Sequence, residues 1–300
     1  MPLSNHCADI IIFKKAIMLT SEQIMNYTDT PTKYVEVEGI NHAYRSLGEP
    51  TGVPLVCLQH FTGTLDNWDP IIINGLAAER QVITIDNTGI GNSGGQTPDD
   101  VQDMSEDAIK IVSALGITKC DLLGYSLGGF VAQTTVDTNP DLFRKIILVG
   151  TAPQGAKALH SFPELVAKAF SLEPLERFLF IFATKSEQSR AKIKATLGRI
   201  STRKQDRDKE TTTAAVQAQI RALTRWGTDP ATIKLSKIAH PVLIIQGSDD
   251  EMMDSATSLE LFKQIANSVL TYYPDSAHGS FFQYPELFVS QANFFLDNFN

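Results

Sequence analysis

The sequence predicts an α/β protein: a mostly parallel sheet of about eight strands, flanked by helices, with a helical cap inserted late in the chain. Three observations carry that prediction. Short, nearly continuous apolar runs recur along the chain, as strands buried on both faces produce. Helical stretches separate most of these runs, so the strands are expected to lie parallel and to connect by right-handed crossovers. Between Ala152 and about Lys234 the alternation stops, and the chain becomes helix-rich with no convincing strand.

Residues 1–30 read as a loosely attached extension. Two short apolar patches, Ile10–Phe13 and Ala16–Leu19, are split by Lys14 and Lys15. A secretory signal would place its charge first and keep its apolar region unbroken. Met18 and Met25 make later starts conceivable. From Lys33 the text is periodic: Tyr34–Glu38 alternates, Gly39–Asn41 turns and His42–Leu47 returns, a β-hairpin. The remaining strands are expected within Pro54–Gln59, Gln81–Asp86, Cys120–Tyr125, Lys145–Gly150, Pro241–Gln246 and Val269–Tyr273. Helices are expected over about Trp68–Arg80, Asp99–Leu115, Leu127–Thr138, Ser255–Ile265 and Pro285–Phe299. The second of these has a start signal in Thr97 as N-cap, Pro98 at the first position and Asp100 in the first turn. The expected organisation is therefore a discontinuous core, 31–152 and 233–300, with a cap over 153–232.

Composition narrows the function classes. With 300 residues, 43% hydrophobic and 20% charged, the chain resembles an average globular protein and can bury a core without staples. Three cysteines, Cys7, Cys57 and Cys120, are an odd number with no C-x-x-C spacing. That pattern supports neither a disulfide framework nor a zinc site and fits a reducing, cytoplasmic compartment. The net charge of −8 argues against a nucleic-acid partner. Within Lys185–Lys209, nine Lys/Arg face three acids, a local +6, read here as a solvated helical face. No apolar stretch reaches the roughly 18 residues a membrane span requires. The expected partner is a small-molecule substrate, with neither nucleic acid nor membrane, and with no cofactor and no metal. Oligomeric state is not legible.

The chemistry begins at Gly124-Tyr-Ser126-Leu-Gly128, a G-x-S-x-G pentapeptide after one apolar run and before a helical pattern. A serine on so tight a strand-to-helix turn presents its hydroxyl at the positive end of the helix, where anionic charge is stabilised. It needs a base. Of six histidines, His6 lies in the extension, His42 in the hairpin, His160 in the cap and His240 at the start of a strand. His60 ends a strand, and His278 lies between the last strand and the last helix, which fits the chain order Ser…acid…His. The orienting acid should follow the strand Val242–Gln246, where Asp249, Asp250 and Glu251 compete.

With these residues in place the sequence resembles the α/β-hydrolase superfamily, in its serine-nucleophile branch with a helical cap, over about Tyr34–Phe299. The resemblance implies Asp250 as the acid, the last residue of a G-x-x-D turn, ahead of Asp249 and then Glu251. It also assigns Gln59–Thr64 to the oxyanion loop, with the N–H groups of Phe61 and Leu127 as donors. Here the chain departs from the usual His-Gly-x-x-Gly-Ser: Gln59 replaces the histidine and His60 the glycine. Asp66-Asn-Trp68-Asp-Pro70 matches a run found in a subgroup of such hydrolases. The segment Asp86–Ser93 resembles the family's D-x-R-G-x-G-x-S loop, with Thr88 in place of arginine. Its Gly89-Ile-Gly91-Asn-Ser-Gly94 also spells G-x-G-x-x-G, but no helix opens inside the motif, so a structural turn is expected rather than a dinucleotide site. The implied activity is cleavage of a small, partly apolar ester or related carbonyl compound through a serine acyl-enzyme, as in a carboxylesterase. The alternatives are a cofactor-free, haloperoxidase-like perhydrolase or an acyltransferase on the same residues, and a ligand-binding receptor or low-turnover scaffold.

Overall fold

A computed structural model describes residues 26–299. Eight strands form one sheet: β1 (Lys33–Val37), β2 (Ile40–Leu47), β3 (Leu55–Leu58), β4 (Val82–Ile85), β5 (Cys120–Tyr125), β6 (Phe143–Val149), β7 (Val242–Gly247) and β8 (Ser268–Tyr273). Their order is β1-β2-β4-β3-β5-β6-β7-β8, with β2 antiparallel to both of its neighbours and the other pairs parallel. The hairpin closes through Glu38 (φ 52°) and Gly39 (φ 82°), two left-handed residues whose twist matches the flanking strands.

Strands β3, β4, β5 and β7 are buried throughout, which is why they read as apolar runs rather than alternations. Alternate residues feed two cores. Val56, Leu58, Ile146, Leu148 and Ile244 face one side, where α2 (Val101–Ala114) and α3 (Leu127–Thr138) pack. Leu55, Cys57, Ile147, Val149 and Ile245 face the other, under α1 (Pro70–Ala77) and the last helix. Between β6 and β7 the chain adds α4 (Phe162–Phe170), α5 (Pro174–Phe182), α6 (Glu187–Ile200) and α7 (Thr213–Thr228). After β7 come α8 (Ser255–Gln264), the short α9 (Ser280–Gln283) and α10 (Pro285–Asn298).

Several expectations need correction. The extension lies outside the described residues as far as residue 25, but its last residues pack on the fold: Tyr27 and Thr30 are buried, and the Tyr27 hydroxyl donates to Leu65 O at 2.8 Å. Helix α1 begins at Pro70, with Asp69 rather than Trp68 at its start, and the Asp69 carboxylate accepts the Ile71 N–H at 3.0 Å. Helix α2 is capped by Asp100, not Thr97. The basic stretch 185–209 is only partly a solvated face. Arg199 Nε donates to the buried Asp69 carboxylate at 3.0 Å, and Arg203 is buried with its guanidinium on Thr28 O and Thr30 O, each at 2.9 Å. Among the described residues no helix is long and apolar enough to cross a membrane, and no group of three His, Cys, Asp or Glu could hold a metal ion. Cys57 and Cys120 are buried free thiols; Cys7 lies outside the described residues.

Candidate active site

Ser126 sits between β5 and α3 with φ 55° and ψ −116°, a conformation L-residues rarely adopt. Its neighbours make that turn possible. A Cβ on Gly128 would run into the Leu58 carbonyl oxygen of β3, and one on Gly124 into the Gly128 carbonyl oxygen. The backbone holds the serine from both sides: its N–H donates to Val149 O at 2.9 Å, and its carbonyl accepts from Thr151 Oγ1 at 2.9 Å.

His278 comes from the loop between β8 and α9. Its Nε2 lies 2.9 Å from Ser126 Oγ and its Nδ1 2.8 Å from Asp250 Oδ2. An ionised carboxylate only accepts, so the hydrogen-bond network assigns the proton to Nδ1 and the lone pair on Nε2 to the serine hydroxyl. Tyr125 OH donates to His278 O at 2.8 Å, and Phe182 of α5 stacks on the imidazole with an interplanar angle of 12°. Of the three competing acids, Asp250 is the one that reaches the histidine. It is buried, and its Oδ1 accepts the N–H groups of Met252 and Met253, each at 2.9 Å. Asp249 and Glu251 are exposed, and Asp249 engages Ser248 Oγ instead.

The loop after β3 accommodates His60 where a glycine was expected. The ring tilts against Tyr125 and Phe182, with centroids at 5.2 and 5.6 Å, and Nδ1–H donates to Phe61 O at 2.7 Å. Burial pushes its pKa down to about 4, which leaves the imidazole neutral; the bond to Phe61 O opposes that shift and nearby His278 adds to it. The N–H groups of Phe61 and Leu127 have no acceptor among the described residues. Thr62 follows with φ 62°, and its N–H donates to Gln219 Oε1 of α7 at 2.7 Å. Gln219 escaped sequence reasoning. Its only signal is a polar residue in the buried stripe Ala215, Ala218, Ala222, Leu223 of α7.

Asp86 braces the same loop. One carboxylate oxygen accepts the Leu65 N–H at 2.8 Å and the other the Asn92 N–H at 3.1 Å. Burial first, and neighbouring Asp208 next, hold its pKa well above the usual carboxylate range. Gly89 and Gly91 are left-handed and the following helix waits until Val101, so the G-x-G-x-x-G run is a turn with no helix N-terminus inside it. A cavity of about 270 Å³ opens over Ser126 and His278. Phe170, Phe178 and Phe182 line it. Phe180 does not, and Trp226 stacks on Phe130 instead.

A serine, histidine and aspartate in hydrogen-bonded sequence on this sheet define the class. The alpha/beta hydrolase fold family matches residues 53–285, and the chain belongs to that family. It is similar to a solved alpha/beta hydrolase fold protein from Chitinophaga pinensis, at 55% identity and a TM-score of 0.91, over 92% of this chain and 100% of that one. It is also 26% identical to a putative carbamate hydrolase, RutD, of Agrobacterium fabrum, across 78% of this chain and 89% of the relative. A putative non-heme bromoperoxidase, BpoC, of Mycobacterium tuberculosis is 27% identical across 82% and 94% of the two chains.

Proposed function

We propose that the protein is a serine hydrolase that cleaves a small, partly apolar ester or related carbonyl compound through an acyl-enzyme. The observation that carries this reading is the relay Ser126 Oγ, His278 Nε2, His278 Nδ1, Asp250 Oδ2, closed at 2.9 and 2.8 Å. Ser126 Oγ attacks the carbonyl carbon as its proton passes to His278 Nε2. Asp250 fixes the tautomer and stabilises the imidazolium that forms. The N–H groups of Phe61 and Leu127 receive the developing oxyanion. Collapse of the tetrahedral intermediate breaks the bond to the leaving group, which takes the proton from His278. Water, activated by the same imidazole, then releases the acid and regenerates Ser126. The apolar walls of the cavity favour a partly apolar acyl or alcohol group.

A fluorophosphonate probe labels wild type and leaves Ser126→Ala unlabelled if this reading holds; equal labelling of both sinks it. p-Nitrophenyl esters of graded chain length supply the turnover readout. The likeness to a putative bromoperoxidase bears on the acyl acceptor, since peroxide in place of water would give a peracid from the same acyl-enzyme. Product partition between water and hydrogen peroxide separates the two.

A further inference from the structure

Arg177 breaks the chemistry of the cavity wall. Pro174, Arg177, Phe178, Ile181 and Phe182 all line the cavity, so one face of α5 points inward and carries a single cation among apolar residues. Among the described residues, Arg177 is the one side chain lining the cavity with a permanent charge, and no acid lines it.

Its partners are poor ones for a guanidinium. Among the described residues, Nη2 reaches only backbone carbonyls, Phe170 O at 3.4 Å and Leu172 O at 3.3 Å, and the guanidinium carbon lies 4.6 Å over the Phe170 ring. Nε is buried with no acceptor, and no ion pair forms among the described residues. The acids nearest in sequence do not help: Glu176 pairs with Arg190, and Glu173 makes no ion pair among the described residues. Arg177 also lies near the N-terminus of α5, where the helix dipole adds positive potential rather than relief. A half-buried cation without a counter-charge is costly, and a carboxylate offers the bidentate match its fork lacks.

We propose that Arg177 binds an anionic group, in its simplest form a carboxylate, at the end of the substrate remote from the scissile carbonyl. The proposal rests on the hydrolase reading above and narrows its substrate class. Phe182, stacked on His278, marks the catalytic end of α5, and Arg177 lies five residues before it, about 7–8 Å along the helix axis. The substrate is therefore a carbonyl compound with a short apolar stretch between its reacting group and its anion.

The test compares p-nitrophenyl monoesters of straight-chain diacids, succinic to suberic, with the same esters whose distal carboxyl is capped as a primary amide. Wild type should favour the acid over the amide in kcat/KM at some chain length, and that ratio should fall at least about tenfold in Arg177→Gln, with partial recovery in Arg177→Lys. A wild-type ratio at or below unity, or one unchanged in Arg177→Gln, overturns the proposal. Failure of the hydrolase reading looks different, with no ester turned over and Ser126 unlabelled. In that event calorimetric binding of 4-phenylbutanoate against 4-phenylbutanamide decides the matter. Tighter carboxylate binding that Arg177→Gln abolishes supports the anion site, and equal binding by both ligands removes it.

Discussion

Ser126, the proposed nucleophile, sits in a strained conformation. At φ 55° its Cβ crowds the backbone, a conformation that costs of order 1–3 kcal/mol and persists only where the surroundings over-determine it. Here they do: Val149 O and Thr151 Oγ1 hold the peptide groups on either side, while Gly124 and Gly128 admit the close approach of β3, β5 and α3. Ser126→Gly should therefore melt above Ser126→Ala, by roughly 2 °C once the extra unfolded-state entropy of glycine is subtracted. Both variants lose the hydroxyl, so the comparison isolates the Cβ. Equal melting temperatures by calorimetry would mean that the strain only matches glycine's extra unfolded-state entropy, and a Ser126→Gly that melts below Ser126→Ala would mean that the turn stores none. At this scale the sequence was informative, because G-x-S-x-G after an apolar run leaves the chain few other shapes. The acid was harder to choose. Asp249, Asp250 and Glu251 differ only in where the turn after β7 points them, and that direction is set by the Met252 and Met253 N–H groups, which no local pattern displays.

Between elements, the main link is from the helices inserted after β6 to the loop after β3. Gln219 of α7 accepts the N–H of Thr62, the residue after the oxyanion donor assigned to Phe61, and Thr211 Oγ1 donates to Thr62 O at 2.9 Å. Together they hold a left-handed residue in place. Gln219→Leu should lower kcat on p-nitrophenyl esters about 10–100-fold, less than outright removal of an oxyanion donor, with KM changed by no more than about threefold. Gln219→Glu keeps the acceptor and should recover most of that loss. If both variants lower kcat alike, or lower only the melting temperature, Gln219 is a packing residue. This link spans more than 150 positions in the chain, and periodicity cannot record it. The start of α2 was missed for a similar reason. Thr97-Pro98 is a sound local signal, but Asp99 is drawn outward to Arg221 at 2.8 Å and Arg225 at 3.0 Å on α7, so the helix begins one turn later with Asp100 as its cap. Strand positions were legible because β3, β4, β5 and β7 are buried on both faces, which sequence records as unbroken apolar text.

Across the whole molecule, the local +6 of residues 185–209 against a net −8 becomes partly a clamp. Arg199 meets Asp69, and Arg203 and Arg207 approach Asp66 at 3.7 and 3.4 Å, so cations after β6 hold acids of the loop after β3. Buried ionisable groups there and in the cavity make stability pH-dependent in opposing directions. His60 has its pKa lowered from 6.5 to about 4 by burial, so between those values the unfolded chain binds a proton that the folded chain refuses. Stability from this group is present above pH 6.5 and is lost as pH falls towards about 4. Asp86, with its pKa held up first by burial and then by Asp208, works the other way, because acidification neutralises a charge that the fold disfavours. Total stability therefore mixes the two, and the difference between wild type and His60→Gln isolates the histidine. From about pH 7 to about pH 4.5 wild type should lose roughly 2 kcal/mol more than His60→Gln, at 1.36 kcal/mol per pKa unit and with a discount for water reaching the cavity. Urea midpoints at intervals across that range measure it. Parallel curves for the two proteins, or a wild type that gains on its variant as pH falls, would show that the imidazole is solvated rather than walled in by Tyr125 and Phe182.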